Sequence, residues 1–167
     1  MNTIIFLQVA IAFFMGIAAL FLVYKILNFY LKKTFQLEEL NMSFATLQVG
    51  IILSTALLMG SIVGPGLNAI RFINQSAVDL TTVSTSIGYI AVFIFIGVLF
   101  TMMIIGGGVL VLFQMTKVNE WEEIRKNNIP VALISAALIL GLTLILKDNV
   151  AGLCEALIPY PDVVGVK

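Results

Sequence analysis

The 167 residues contain no histidine, a single cysteine, four prolines and only 11% charged side chains. Without histidine there is no imidazole to ligate a metal or a haem, to act as a general base, or to switch charge near neutral pH. Cys154 alone closes no disulfide within the chain and says nothing about redox compartment. The shortage of charge excludes more. A soluble domain carries about 25% charged residues, and this chain lacks the polar surface to cover a globule in water. Nine Lys+Arg balance nine Asp+Glu, so no net field recruits nucleic acid or an anionic substrate.

What is present is apolar: 60% of the residues, with a mean hydropathy of +1.11. The bilayer is the solvent for such a chain. Charged residues divide it into four uncharged stretches, 1–24, 40–70, 80–116 and 127–146. A hydrocarbon core of about 30 Å takes about 20 helical residues at 1.5 Å each. Each stretch is long enough to cross once and none to cross twice. The sequence therefore predicts an all-α integral membrane fold with four transmembrane helices, near 3–25, 44–64, 87–113 and 128–146. The first stretch has no positive residue ahead of Ile4-Ile5-Phe6-Leu7 and a long apolar run, so it reads as a retained helix rather than a cleaved signal. Lys25, Lys32, Lys33, Lys117, Arg125 and Lys126 flank the two short connections, against Arg71, Lys147 and Lys167 on the other side. That bias places the short loops in the cytoplasm and both termini outside.

The two halves read as one unit written twice. Sliding the chain by 81 residues brings Gly16 onto Gly97, Glu39 onto Glu120, Ser54 onto Ser135, Ala56 onto Ala137, Gly60 onto Gly141 and Asn68 onto Asn149. Identities at this shift are close to what the composition gives by chance. Helix lengths, loop charge and glycines at helix centres carry the argument. The expected organisation is two tandem helical hairpins, 1–80 and 81–167, in parallel repeat within one membrane domain, because a two-span unit repeats with unchanged orientation. Pro65-Gly66 and Lys147-Asp148-Asn149 are expected to end the second and fourth spans. The segments beyond them read either as short interfacial helices or as frayed helix ends.

The stretch Glu120-Trp121-Glu122-Glu123-Ile124-Arg125-Lys126-Asn127-Asn128, followed by an Ala-rich span centred on Gly141, resembles the YjfL/YshE-type small bacterial inner-membrane proteins, domain of unknown function 350. Ile129-Pro130 departs from the small residues usual there, and Glu38-Glu39-Leu40-Asn41 is a degenerate first copy. The resemblance implies a two-hairpin protein of the bacterial inner membrane without established enzymatic activity. It also implies a cytoplasmic partner of the coat-like envelope-stress type.

No ionisable residue is expected near a helix centre. Lys25 falls at the end of the first span, where its stem snorkels to the interface. Proton-coupled transport and voltage sensing thus lose their usual machinery, and no nucleophile–base pair supports an enzyme. No cofactor or metal site is expected, since the loop carboxylates have no ligand spacing. Among polar residues in the spans, Gln48, Ser54 and Ser135 are candidates for a polar path, or for helix–helix contact at around 1 kcal/mol or less each. Gln48 is expected to face another helix. Gly60-xxx-Gly64 and Gly141 offer small faces, for packing inside the bundle or for an oligomer. Gly106-Gly107-Gly108 is read as a packing site, with a hinge as the alternative.

In the second charged loop, helical spacing pairs Glu122 with Arg125 and Lys126, and Asn127 or Asn128 is placed to cap the last helix with Pro130 in its first turn. Trp121 is read as an interfacial anchor or, with Glu122 and Arg125, as a docking point for a partner. The functional expectation is a non-enzymatic scaffold or small subunit of a homo- or hetero-oligomeric membrane complex in contact with membrane lipids. The alternative is an oligomeric channel or facilitator for a small ion or solute.

Overall fold

A computed structural model describes residues 2–35, 41–73, 80–116 and 119–158. Glu39 and Lys117, which entered the repeat and charge arguments, lie outside them, as does the stretch from Pro159 onward. The described residues are almost entirely helical: α1 (Asn2–Phe35), α2 (Met42–Ile73), α3 (Leu80–Thr116), α4 (Glu120–Arg125) and α5 (Ile129–Ala156). Four of these are long and apolar enough to cross a membrane, at Val9–Phe29, Met42–Ile73, Ser84–Val111 and Ile129–Ala156. The chain is a multi-pass helical membrane protein.

Three helix ends differ from expectation. The second span does not stop at Pro65. A proline removes one backbone donor and crowds the carbonyl four residues back, but neighbouring helices and hydroxyl side chains satisfy the freed groups in membrane helices. Here Pro65 and Gly66 are buried, and Met15 of α1 and Phe93 of α3 close around Gly66. The fourth span likewise runs through Lys147-Asp148-Asn149 to Ala156. Both segments read as interfacial pieces are continuations of α2 and α5. The third difference is α1, which extends ten residues past Lys25.

Packing is centred on α2. Its most extensive partner is α5, and the two run parallel. The contacts fix the register: Gly50 lies on Ala136, the Ser61 hydroxyl reaches the Lys147 carbonyl at 3.0 Å, and the Asn68 amide reaches Glu155 Oε1 at 3.3 Å. Each pair is offset by about 86 residues, close to the offset of 87 between the helix starts at Met42 and Ile129. A residue on α2 is therefore level with the one some 86 later on α5. The floor of this seam is Gly50, where a Cβ would stand 2.5 Å from Ala136 Cβ and 2.8 Å from its Cα. Only glycine permits that approach. α1 and α3 run antiparallel to α2 and pack on its other buried face, through Met15, Ala19, Val23 and Leu27 of α1 and Phe93 and Gly97 of α3.

Candidate functional site

The sequence-predicted polar positions do not converge on one path. Thr55, Thr101, Ser135 and Thr143 are buried, and each hydroxyl donates to the carbonyl four residues back in its own helix, at 2.8–2.9 Å. Such a bond spends the donor locally and leaves little for a ligand. Ser54 occupies the α5-facing side of α2, at helical spacing between Gly50 and Ser61. Its Oγ is buried and has no hydrogen-bond partner among the described residues. The register places Ser54 level with Leu140 and Ser135 level with Val49, about 8 Å apart along the axis at 1.5 Å per residue. The shift of 81 that aligned the two serines in sequence is not the spatial one. Gln48 does face another helix: its Nε2 donates to Asn28 Oδ1 of α1 at 2.7 Å.

The glycines divide differently from the expectation. Nothing lies within 4 Å of a Cβ built on Gly60, Gly64 or Gly141, so none of them marks a close helix contact inside the bundle. Gly60 and Gly64 are exposed on the outer side of α2. The close contacts are at Gly50, with the small Ser54 four residues on, and at Gly97, which meets Met59 and Ile62 of α2. Of the glycine triplet, Gly106 and Gly107 are open, while Gly108 meets Ile139, Leu138 and Leu142 of α5. α3 stays helical throughout, as the packing reading expects. Beside the seam, an open groove of about 420 Å³ runs along the outside of α2 and α5, between Val49, Leu53, Leu133 and Leu140 over the floor of Gly50 and Ala136.

The most organised polar cluster is at the end of the bundle where α2 and α5 begin. Asn128 caps α5 as expected, its Oδ1 accepting from Val131 N, with Pro130 in the first turn. Asn41 does the same for α2, accepting from Phe44 N at 2.7 Å. Its amide also donates to the carbonyls of Ile124 and Arg125, at 2.9 and 3.3 Å, at the end of α4. Asn127, held at φ 63°, accepts from Ser43 N at 3.0 Å; asparagine tolerates this left-handed region better than most residues. One loop thus finishes the helix start of the other. α4 lies over the bundle end with Ile124 fully buried and Trp121 packed on the core. Trp121 is therefore engaged within the chain, while Glu122 and Arg125 are exposed. Glu122 and Glu123 both pair with Lys126, at 3.2 and 3.4 Å. The Asn128 amide, and after it Lys126, lowers the Glu123 pKa from its ordinary value, and the two carboxylates raise that of Lys126.

Lys25 is the site residue that sequence reasoning misplaced. The Asn28–Gln48 bond and the crevice where Tyr24 meets Ile51 and Ile52 set its level against α2. That level is about 13 Å inside the start of α2 at 1.5 Å per residue. On α5 it corresponds to Leu138, about midway between the capped start at Ile129 and the ion pair of Lys147 with Asp148 (2.9 Å), which precedes the helix end at Ala156. Lys25 thus stands inside the apolar stretch Val9–Phe29, on the exposed side of α1. Its side chain leans toward the helix start, as helical side chains do, and the ammonium sits 5.8 Å from the centre of the Phe21 ring. A lysine at a helix centre costs about 2.5–3.5 kcal/mol on insertion scales, and an exposed cation–π contact returns only about 0.5–1 kcal/mol. The signal available in the sequence was span length: a helix ending at Lys25 leaves Ile26 through Tyr30, a strongly apolar run, outside the membrane.

Residues 82–160, which comprise α3, α4 and α5 almost entirely, match the family described as Domain of Unknown Function (DUF350). The resemblance carried by residues 120–141 is borne out at the level of that family. Comparisons with curated proteins and with solved structures gave no significant match.

Proposed function

We propose that this chain, whose second hairpin carries the DUF350 pattern, is a non-enzymatic membrane subunit that works by assembling with other chains in the bilayer. One observation carries the reading. The buried hydroxyls of Thr55, Thr101, Ser135 and Thr143 are spent on the protomer's own backbone, while a charge, Lys25, is left on the outside of an apolar span. An outward charge within such a span calls for protein or water beside it rather than lipid. The exposed Gly60 and Gly64 and the apolar groove over Gly50 and Ala136 add surface that a neighbouring helix or a lipid tail fits. The two hairpins are copies of one unit on this reading, with the parallel run of α2 and α5 as support. The short loops face the cytoplasm of a bacterial inner membrane, both termini lie outside, and the exposed Glu122 and Arg125 meet any cytoplasmic partner of the envelope-stress type.

The test is the mass of the particle extracted natively into lipid nanodiscs, with every co-purifying chain identified at stoichiometry. A defined homo- or hetero-oligomer supports assembly. A monomer at native membrane density overturns it.

The second reading is a channel whose path forms between protomers, favoured by the unpartnered buried hydroxyl of Ser54. It requires ion or solute flux in liposomes that is lost in both Ser54→Leu and Ser135→Leu. Absence of flux for any small solute counts against it.

A further inference from the structure

The reading as an assembling subunit leaves open what stands against Lys25. The ammonium lies within the apolar stretch Val9–Phe29, and among the described residues its partner is the face of the Phe21 ring. The surrounding surface of α1 is apolar and aromatic: Phe14, Phe21 and Phe29 are 68%, 60% and 75% exposed. The charge is thus an isolated polar point on a large hydrophobic face.

Among the described residues no carboxylate stands against Lys25. The first carboxylate in the sequence is Glu38, and no Asp or Glu occurs in 40–70, 80–116 or 127–146. Among the described residues, Glu122 and Glu123 sit beyond the capped end and Asp148 and Glu155 toward the opposite one. A second copy docked face to face on α1 brings another ammonium to the same depth, and like charges repel strongly where the dielectric is low. Lipid headgroups, which carry the anions of the bilayer, lie outside its hydrocarbon core.

From this charge complementarity we infer that the Lys25 face of α1 binds a transmembrane helix of a different protein, one that carries a single Asp or Glu near its centre. The carboxylate sits against the Lys25 ammonium, and small or flat side chains around it lie on Phe14, Phe21 and Phe29. The inference rests on the assembly reading and specifies the partner that one face of the subunit accepts. Intramembrane ionisable residues pair with one another when they meet, so the lysine acts as an address as well as an anchor.

The experiment uses the full chain in neutral phosphatidylcholine vesicles at pH 8, with a donor fluorophore on a terminal tag. The probe is a synthetic Leu/Ala helix of membrane-spanning length with Glu at its central position, carrying the acceptor. A central position makes the insertion direction immaterial. Control helices have Gln or Leu there. The expected result is that the Glu helix associates with the wild-type chain about tenfold more tightly than the Gln helix. Lys25→Met, which keeps the length of the stem, is expected to abolish that preference while circular dichroism and particle mass stay unchanged.

Equal association of the Glu and Gln helices with the wild type overturns the inference, as does a Glu preference that survives Lys25→Met. A third measurement guards against a water-filled interface. In a Cys154→Ala background, rapid reaction of Lys25→Cys with a membrane-impermeant methanethiosulfonate places water at that position and overturns the pairing. Protection from the reagent supports it. If the chain proves monomeric in native nanodiscs, the assembly reading itself fails; if it assembles and shows no Glu preference, only this inference does.

Discussion

The α2–α5 pair and α1 solve the same problem, holding a helix in place inside lipid, in opposite ways. The pair is stitched along its length, from Ser43 and Asn127 through Gly50 and Ala136 to Ser61 with Lys147 and Asn68 with Glu155. Among the described residues, α1 touches the bundle through the stripe Met15, Ala19, Val23 and Leu27 and a side-chain hydrogen bond from Gln48 to Asn28. Its remaining surface is broad, aromatic and exposed. Lipid tails are as apolar as leucine, so burial of apolar area gives little advantage inside the bilayer, and small residues and hydrogen bonds decide which helices stay together. By that measure the seam is the fixed part of the molecule and α1 the part free to exchange contacts.

The largest expected effect follows from crowding the seam. Gly50→Leu forces a side chain into Ala136 and is expected to cost about 3 kcal/mol by overpacking, read as a lowered unfolding midpoint in mixed micelles. Gly60→Leu, with open space around it, is expected to change stability by no more than about 0.5 kcal/mol. Equal effects at the two glycines break the comparison. Next is Asn41→Ala, which removes a helix cap and the donor to two carbonyls of the other loop. A loss of about 1–2 kcal/mol is expected, with faster amide exchange at both 42–45 and 120–126. Exchange confined to 42–45 means the loops are not joined as described. Smaller still is Gln48→Leu, at about 0.6 kcal/mol, the average measured for hydrogen bonds between membrane helices. Its effect belongs to α1 alone, so cross-linking between α1 and α2 should weaken while the seam stays protected.

The smallest effect is one of pH. Hydrogen bonding to the Asn128 amide, and then pairing with Lys126, holds the Glu123 pKa below its ordinary 4.5. Its contribution to the loop is therefore complete above that value and is lost as pH falls through the lowered one. Amide protection around 126–131 should be flat through the neutral range and decline only as the pH falls below the ordinary carboxylate range. Glu123→Gln should remove that dependence.

The number of helices was legible because a membrane span announces itself by missing charge, and four uncharged stretches gave four crossings. The same rule misplaced the end of α1: it treats every charge as a boundary, and Lys25 is a charge within a span. Pro65 misled for a related reason. The rule that proline ends helices comes from water-exposed backbone, and Pro65 is buried, next to a Gly66 enclosed by α1 and α3. The caps at Asn128 and Pro130 were readable because capping depends on neighbours in sequence, whereas the bond from Asn41 to Ile124 spans 83 residues. The seam did not stand out because Gly60-xxx-Gly64 and Gly50-xxx-Ser54 both have the spacing of a packing motif, and only Gly50 lies against α5. Spacing records which residues share a face of one helix and is silent on what faces them.

The cap on α2 also sets an order of events during synthesis. Ser43 is bonded by Asn127, and the seam partners of α2 lie between residues 136 and 155. When the ribosome has made the first two crossings, neither the bonds that join the head of α2 to the later loop nor its companion helix yet exists. The newborn first hairpin waits in the membrane as an unfinished object, exposed to chaperones and proteases until α5 arrives. A truncation after residue 116 should therefore be degraded rather than accumulate as a stable half-protein.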